Sequence, residues 1–423
     1  MNTTDITIWL IKDAEPLPVD PSQRKMRNGL LADELVSRGY NVVWFASRFE
    51  HARKIFAEGP DRQIVNNNLS IELLDGPGYK RNISLPRIRH QRSLALEFLK
   101  RANSMKRPQL MVAAYPAPEL CLAACEFAKK NHIPIFVDAR DPWPDSFWEY
   151  FPKPLRFAIS PVVSYFDKIL RKCFSNAVGI ISISNYMLDW ALSYAGRSKI
   201  DTDKVLYLGY KQAKATHFAE VPNEFTAKTP LKIVFVGTFG KSYDLGLVLD
   251  GMQILEKDFA GLVVCRLVGD GQYSDMWRSK AQDISGVIFE GWKDGAGIEK
   301  ILADSHVGLI PIKGGVSRFW IGNKLFEYTS HHLALINTAP EEVSRIIESN
   351  EIGFNLTENN PEKFAEIIKE YILNPNLLRT HRENAKKLFN ESFDAKKIYS
   401  DYADHITDQI QVNNNVDQRA VSA

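Results

Sequence analysis

Four cysteines in 423 residues (Cys121, Cys125, Cys173 and Cys265) are too few and too scattered for a disulfide framework. Cys121 and Cys125 stand four apart on an expected helix, so they are either inert core thiols or half of a metal site with its partners elsewhere. Neither sign of charge dominates: 53 Lys and Arg against 51 Asp and Glu leave a net charge of +2. That balance removes any global attraction to polyanions, and no nucleic-acid motif accompanies it. No run approaches the roughly 18 apolar residues of a membrane span. Ile6 to Ile11 is only strand-length, and no basic leader precedes it, so no targeting segment is expected. The expected location is cytoplasmic, with the inner face of the cell membrane as a peripheral option. Neither glycine-bearing strand end in the second half reads Gly-x-Gly-x-x-Gly, so a dinucleotide fingerprint is not supported. No Asp-x-Asp stands at a sheet end there either, so the sequence requires no metal or other cofactor.

What the chain does have is alternation. Ile6–Ile11, Asn41–Ala46, Leu69–Leu74, Leu110–Ala114, Ile133–Val137, Val178–Ser182 and Lys204–Leu208 read as strands. Ser22–Arg38, Leu94–Met105 and Glu119–Asn131 read as helices, with Leu30, Leu31, Leu35 and Val36 on one face of the first. Such βαβ order implies an α/β fold with parallel sheets covered on both faces. Residues 211–230 are polar, carry Pro222 and Pro230, and lack apolar periodicity, which predicts a linker. A second series follows, with strands Lys232–Val236, Leu262–Val268, Val287–Glu290, His306–Ile310 and Leu333–Ile336. The helices expected with them are Asp244–Leu255, Gln272–Gln282, Gly297–Ala303, Asn323–His331, Pro340–Ser349 and Pro361–Leu373. The expected domains are thus 1–210 and 231–393, two doubly wound halves facing a cleft. Helix 394–410 would return to the first domain, and the polar tail 411–423 reads as disordered.

Ligands of open α/β sheets bind at strand carboxyl ends. The first strand of the second half ends in Gly237-Thr238-Phe239-Gly240-Lys241. There backbone amides can approach a phosphate and Lys241 can neutralise it; a plain tight turn is the alternative. Val268-Gly269-Asp270-Gly271 is a second glycine-bearing strand end in that half. The stretch from Arg318 to Thr338 reads as a loop, a helix beginning near Asn323, and a buried strand. Amides at such a helix start favour anions, and Glu327 on the second turn can accept from sugar hydroxyls. In the first half, Asp138-Ala-Arg140-Asp141-Pro-Trp143-Pro-Asp145 follows a strand. Its carboxylates and guanidinium can orient hydroxyls by charge-assisted bonds of about 1.5–3 kcal/mol each; a structural ion pair is the alternative.

These motifs, in their order, resemble glycosyltransferase family 4. In the second half they run Val236-Gly-Thr-Phe-Gly-Lys241, Leu267-Val-Gly-Asp-Gly271, Phe289-Glu-Gly291-Trp292, His306–Pro311, Gly322-Asn-Lys-Leu-Phe-Glu327-Tyr, Glu341–Ile347 and Gly353. The first half, with Glu15-Pro-Leu-Pro, Arg24…Arg27-Asn-Gly29, Trp44…His51, Gly78-Tyr79-Lys80-Arg81-Asn82 and Asp138–Asp145, resembles the acceptor domain of a subgroup acting in surface-polysaccharide assembly. The resemblance covers about Ile6 to Tyr402. It implies a retaining GT-B enzyme, a hexosyl or N-acetylhexosaminyl transferase, with a nucleoside diphosphate sugar as donor and a glycan or lipid-linked acceptor. A nucleotide-sugar epimerase of the same fold and a non-catalytic nucleotide-sugar-binding partner are the alternatives.

On that resemblance, Gly237, Thr238, Gly240, Lys241, Gly269, Gly271, Trp292, Gly322, Asn323, Lys324, Leu325 and Glu327 meet the donor, Lys324 at the diphosphate and Glu327 at the ribose. Asp138, Arg140 and Asp141 are the catalytic candidates. Glu15, Arg24, Arg27 and Asp145 are the acceptor-side candidates, although Arg24 or Arg27 could instead serve the donor phosphate, and a solvated helix face is the plain alternative. Phe319 stands where the family has its first glutamate, which leaves the sugar contact to other residues. His331 and His332 are expected to pack or to cap a helix end.

Nine Lys and Arg between Pro77 and Arg107 face one acid, Glu97. Lys153 to Phe174 mixes bases with Phe157, Tyr165, Phe166 and Phe174. A basic, aromatic surface would dock on anionic lipid; a solvated basic face over an ordinary core helix is the alternative.

Overall fold

The structure is a computed structural model that describes residues 3–19, 25–82, 84–146, 156–313, 321–356 and 360–421. Arg24, Lys153, Arg318 and Phe319 lie outside the described residues. The chain divides into two compact units, Met1–Tyr207 with Ile398–Ala423, and Leu208–Lys397.

The first unit contains β1 (Thr7–Ile11), α1 (Arg27–Ser37), β2 (Asn41–Ser47), a hairpin of β3 (Phe49–Glu50) and β4 (Ile55–Phe56), β5 (Arg62–Asn66) and β6 (Leu69–Leu74). Then come α2 (Leu85–Ser104), β7 (Leu110–Tyr115), α3 (Pro118–Lys130), β8 (Ile135–Ala139), α4 (Arg156–Asn176), β9 (Gly179–Ser182), α5 (Asn185–Ala195) and β10 (Lys204–Val205). Its sheet order is β10-β9-β8-β7-β1-β2-β6-β5, parallel throughout except for the antiparallel edge strand β5. The central strands are buried along nearly their whole length, as strands covered on both faces must be. Trp9, Phe45, Phe98 and Phe127 interlock over the sheet, with centroids 5.0–6.4 Å apart.

The second unit contains β11 (Leu231–Val236), α6 (Leu245–Phe259), β12 (Val263–Val268), α7 (Ser274–Lys280), β13 (Val287–Gly291), α8 (Gly295–Ala303) and β14 (Val307–Ile310). After them come α9 (Asn323–Ser330), β15 (Ala334–Asn337), α10 (Glu342–Ser349), β16 (Gly353–Asn355), α11 (Pro361–Leu373) and α12 (Pro375–Leu388). The sheet order β13-β12-β11-β14-β15-β16 is that of a doubly wound nucleotide-binding sheet, 3-2-1-4-5-6. The parallel strands of the first unit follow the same order, extended at one edge. Each sheet reverses direction beside its first strand, between β1 and β7 and between β11 and β14, and each reversal opens a crevice at the strand ends.

Several elements differ from the expectations. Helix α1 starts at Arg27, not Ser22. Helix α2 starts nine residues earlier than Leu94, because Ser84 caps it by accepting from the Arg87 amide. Its first turns are basic and give no apolar stripe to read. Helix α12 was not anticipated; its sequence is mostly polar, and only Leu378, His381, Arg382, Ala385 and Leu388 are buried. Residues 211–230, expected as a linker, have no long element but pack onto the second unit: Phe225 is buried, and Arg379 and Arg382 donate to the carbonyls of Val221, Pro222 and Ala219. The last helix, α13 (Ala395–Val421), continues through the tail expected to be disordered. Neither Gly nor Pro follows Asp394 to stop it. Within the first unit its Asp404 and Ser400 pair with Arg38, and His405 bonds the Thr202 carbonyl.

Candidate functional site

In the second unit the crevice lies at the carboxyl ends of β11 and β14, where Gly237 follows the first and α9 starts after the second. The Lys324 ammonium lies against the backbone of Gly237: a β-carbon there would stand 2.7 Å from Nζ. A side chain at 237 would push the ammonium aside, so glycine allows that approach. Lys324 Nζ donates to Tyr243 Oη at 3.0 Å and sits over the Tyr243 and Phe235 rings at 4.4 and 5.2 Å. Among the described residues no carboxylate pairs with it, and aromatic faces hold its charge. Gly322 is the N-cap of α9 and makes no side-chain cap. Among the described residues the Asn323 and Lys324 amides have no partner, while the Leu325 amide donates to the Gly322 carbonyl at 3.4 Å. Glu327, one turn beyond Lys324, accepts a 2.6 Å bond on Oε1 from the Tyr210 hydroxyl, which fixes the carboxylate's orientation. Residues three apart on a helix share a face, so Lys324 and Glu327 are presented together.

The other donor candidates separate into two groups. Thr238 and Lys241 are exposed, a β-carbon on Gly240 would meet only Thr238 at 3.9 Å among the described residues, Asn323 is exposed, and Trp292 is 76% exposed. Gly269 and Gly271, by contrast, have a packing reason. β-Carbons on them would stand 1.9 Å from the Gly237 oxygen and 2.7 Å from the Phe239 oxygen. They let the β12 loop lie on the β11 loop and so shape the crevice from behind. Leu325 is fully buried and faces the core, so its side chain is not a donor contact.

The first unit's predicted residues do assemble, but as a closed network. Arg27 is buried and donates from Nε and Nη2 to Asp138 at 2.8 and 3.2 Å, and from Nη1 to the Leu206 and Tyr207 carbonyls. Arg140 donates to Asp138 at 2.9 Å, to Glu15 at 3.0 Å and to the Asn28 side chain. The remaining Glu15 oxygen accepts from the Asn28 and Gly29 amides, 2.6 and 3.1 Å. Glu15 thereby fills the start of α1 with the protein's own carboxylate. Burial alone would push Asp138 up, but Arg27 and Arg140 outweigh it and hold its carboxyl below the usual range. Fully buried and claimed by two guanidiniums, Asp138 has no oxygen to offer a sugar hydroxyl. It positions the arginines. Asp145 accepts from Trp190 Nε1 and Tyr194 Oη, a packing role. Asp141 is exposed.

Sequence reasoning passed over a different cluster at the strand ends of the first unit. Asp13, just past β1, takes the Lys12 ammonium at 3.3 Å and the Gln91 amide. Burial would raise its carboxyl; Lys12, Gln91 and Arg87 lower it. His51 bonds the Tyr79 hydroxyl at 2.6 Å. Burial, Arg87 and Lys54 push its imidazole down to about 4, so it is neutral at pH 7. Lys54 lies over the Tyr79 ring at 4.6 Å, and Arg87 lies over the Trp143 ring at 4.1 Å. The readable signal was position: these residues follow the ends of β1, β2 and β6, where such folds bind ligands.

Of the basic segment, Arg101 is tied to Glu97 and Glu72, and Arg107 to Asn131 and the Ala102 carbonyl. Lys80, Arg81, Arg89, Arg92 and Lys100 are exposed. Phe166 and Phe174 are buried in the core, contrary to the aromatic surface expected there, while Phe157 is 79% exposed. His331 is the C-cap residue of α9, and His332 packs on Phe218 at 4.3 Å, as expected. The sulfurs of Cys121, Cys125 and Cys173 lie within 4.8 Å of one another, all buried, and no His, Asp or Glu of the described residues joins them. Burial pushes the Cys173 thiol up, as suits a neutral core group. The arrangement could be taken by a soft metal, to which three thiolates are suited.

Residues 230–374 match the family described as Glycosyl transferases group 1. An uncharacterized glycosyltransferase of Methanocaldococcus jannaschii is 25% identical over 247 residues, 57% of this chain and 61% of that protein, so the match spans less than two thirds of the relative. Among solved structures, Anabaena Alr3699/HepE in complex with UDP is similar at a TM-score of 0.62 with 14% identity, over 95% of this chain and 100% of that one. WaaG, a glycosyltransferase involved in lipopolysaccharide biosynthesis, follows at 0.61 and 11%, over 95% and 99%. Sucrose-phosphate synthase from Thermosynechococcus elongatus gives 0.59 and 14%, over 99% and 100%. The fold is therefore GT-B, two Rossmann-like α/β halves, and the match to the group 1 family lies within the second unit.

Proposed function

We propose that this protein is a retaining glycosyltransferase, moving a hexosyl or N-acetylhexosaminyl group from a nucleoside diphosphate sugar to a glycan or lipid-linked acceptor in polysaccharide or glycoconjugate synthesis. One observation carries the reading: an ammonium, Lys324 Nζ, is pressed against Gly237 at the sheet reversal of the second unit, beside an uncapped helix start and one turn from Glu327. The leaving diphosphate develops negative charge as the glycosidic bond breaks. A preorganised cation and aligned amides stabilise that charge without reorganising at the moment of reaction. Lys324, Lys241 and the first amides of α9 hold the diphosphate. Glu327, oriented by Tyr210, accepts from the two ribose hydroxyls. The chemistry is positioning and electrostatics, and it calls for no metal.

A thermal-shift panel of nucleotide sugars tests the donor assignment, since a ligand bound only to the folded chain raises its melting temperature by mass action. UDP-sugars head that panel, because related Alr3699/HepE structures hold UDP and UDP-glucose. One nucleotide sugar is expected to stabilise the wild type and not Lys324→Ala. Glu327→Ala is expected to raise donor KM about tenfold or more, the loss of roughly one charge-assisted hydrogen bond; an unchanged KM removes Glu327 from the ribose. A protein that binds a nucleotide sugar yet never hydrolyses or transfers it defeats the enzyme reading.

A further inference from the structure

The chain enters the second unit at Leu208 and leaves it at Lys397. Just inside these two boundaries the entering and leaving segments pair with each other. The Tyr210 amide donates to the Phe393 carbonyl at 3.0 Å, and the Ala395 amide donates to the Tyr210 carbonyl at 2.9 Å. Tyr210 and Asp394 thus form an isolated parallel bridge outside the named strands.

Both segments also grip α9. From the entering one, the Tyr210 hydroxyl donates to Glu327 Oε1 at 2.6 Å. From the leaving one, the buried Phe393 ring meets buried Phe326 edge-on, with centroids 4.8 Å apart. Phe326 and Glu327 are consecutive residues of α9. The stretch after Tyr210 is pinned as well, since the Lys214 and Ala215 amides donate to Glu299 of α8.

A buried tyrosine ordinarily finds a partner for its hydroxyl. Tyr210 differs in what it joins. Its main chain is the junction of the two segments, and its hydroxyl holds the carboxylate assigned to the ribose. An unheld glutamate loses rotamer freedom when it meets a ligand, and one fixed beforehand avoids that cost. A carboxylate has about four acceptor positions, so the Tyr210 bond leaves room for two ribose hydroxyls.

We propose that Tyr210 is a positioning residue for the donor ribose, setting Glu327 through its hydroxyl, and that the pairing of the entering and leaving segments in turn sets Tyr210. The inference rests on the transferase reading. It makes the preference for a nucleotide with ribose hydroxyls depend on backbone bonds at residues 210 and 393–395.

Calorimetric titrations of the full chain test it with UDP, CDP, ADP and GDP, each beside its 2′,3′-dideoxy form. The wild type is expected to bind one ribonucleotide about tenfold or more tightly than its dideoxy form. Tyr210→Phe keeps the ring and removes the hydroxyl. It should weaken the ribonucleotide about five- to tenfold and leave the dideoxy form unchanged. Ala395→Pro addresses the junction. Position 395 opens α13, where proline is tolerated, and Asp394 already has the extended backbone that suits a residue before proline, φ −63° and ψ 117°. The proline ring takes the place of the amide hydrogen and displaces the Tyr210 carbonyl. The same loss, confined to the ribonucleotide, is expected. Should Ala395→Pro lower the melting temperature too far to be titrated, Phe393→Leu is the second probe of the junction, with the same pattern expected. In a Glu327→Ala background none of these changes should weaken binding further, because they act through that one carboxylate.

Tyr210→Phe with wild-type ribonucleotide affinity, or with equal losses for both forms, overturns the positioning role. Junction variants with wild-type discrimination between the two forms overturn the part played by the paired segments. Either result leaves the transferase reading standing. If none of the ribonucleotides binds the wild type, the transferase reading falls and takes this inference with it.

Discussion

The two units use one strand order and treat corresponding helix starts in opposite ways. The fourth strand of each order leads into a helix whose N-cap makes no side-chain bond: Ala117 before α3 and Gly322 before α9. The second helical residue is Glu119 in one and Lys324 in the other. Glu119 is buried and its carboxyl is raised; Lys324 is a cation on aromatic rings beside a glycine. One helix start therefore presents a cation and the other a buried carboxyl. The helix after the first strand is spent in both: Glu15 fills the start of α1, and Asp244 caps α6 through the Leu247 amide. Topology offers several helix starts at the strand ends, and side chains decide which remain open.

The sharpest test separates scaffold from site. Arg27→Ala leaves Asp138 buried and short of a partner, and breaking such a pair costs about 3–5 kcal/mol. Denaturant unfolding should show that loss, while nucleotide-sugar affinity stays at the wild-type value. A stable variant with lost affinity would turn Arg27 back into a ligand contact. Next in size, Lys324→Ala should lower donor kcat/KM by about 10²–10³, the worth of one electrostatic stabiliser of a leaving group, with little change in melting temperature. Lys324→Glu copies the first unit's choice and should be worse still. A smaller effect is expected of Gly237→Ala. The added methyl group would meet Lys324 Nζ at 2.7 Å, and the flexible ammonium should yield, raising donor KM about five- to tenfold, close to 1 kcal/mol.

The mildest test uses pH. Burial pushes His306, in the second unit, down to about 3, with Arg382 adding to it. Its Nδ1 accepts from the Lys232 amide at 3.0 Å and Nε2 contacts the Glu220 carbonyl at 3.1 Å. The unfolded chain binds that proton near pH 6.5, and the folded chain only near 3. The stability it contributes is thus fully present above about pH 6.5 and is lost as pH falls toward 3. His51 does the same in the first unit, down to about 4. His306→Gln and His51→Gln should each flatten part of the fall in melting temperature between pH 6.5 and 4. Profiles parallel to the wild type would mean that neither imidazole is held neutral.

Much of the architecture was legible because parallel strands buried on both faces write themselves as short apolar runs. Helix α11 was read at its observed bounds, Pro361–Leu373, and the structure shows Asn360 capping it and Pro361 opening it. The basic start of α2 and the polar α12 escaped, since their apolar faces are too sparse for periodicity to show. At the candidate site, Lys324 and Glu327 were legible as charged residues one turn apart after a glycine. Asp138 and Arg27 were legible as charges, but not as each other's partners. Asp13, Gln91 and Glu119 carried no local signal, because what distinguishes them is burial.

By itself, then, the sequence determined the alternation of strands and helices, the doubly wound class, and the helix that carries Lys324 and Glu327 together. Those properties depend on neighbours within a few residues, where backbone geometry fixes which side chains share a face. Tertiary structure alone decided which charges are spent and which are free. Arg27 meets Asp138 across 111 positions, and Arg140 meets Glu15 across 125, closing one network. Lys324 is brought against a glycine of a different loop and pairs with no carboxylate of the described residues. Coulomb attraction and desolvation depend on distance in space and on burial, and neither quantity is written in the order of residues.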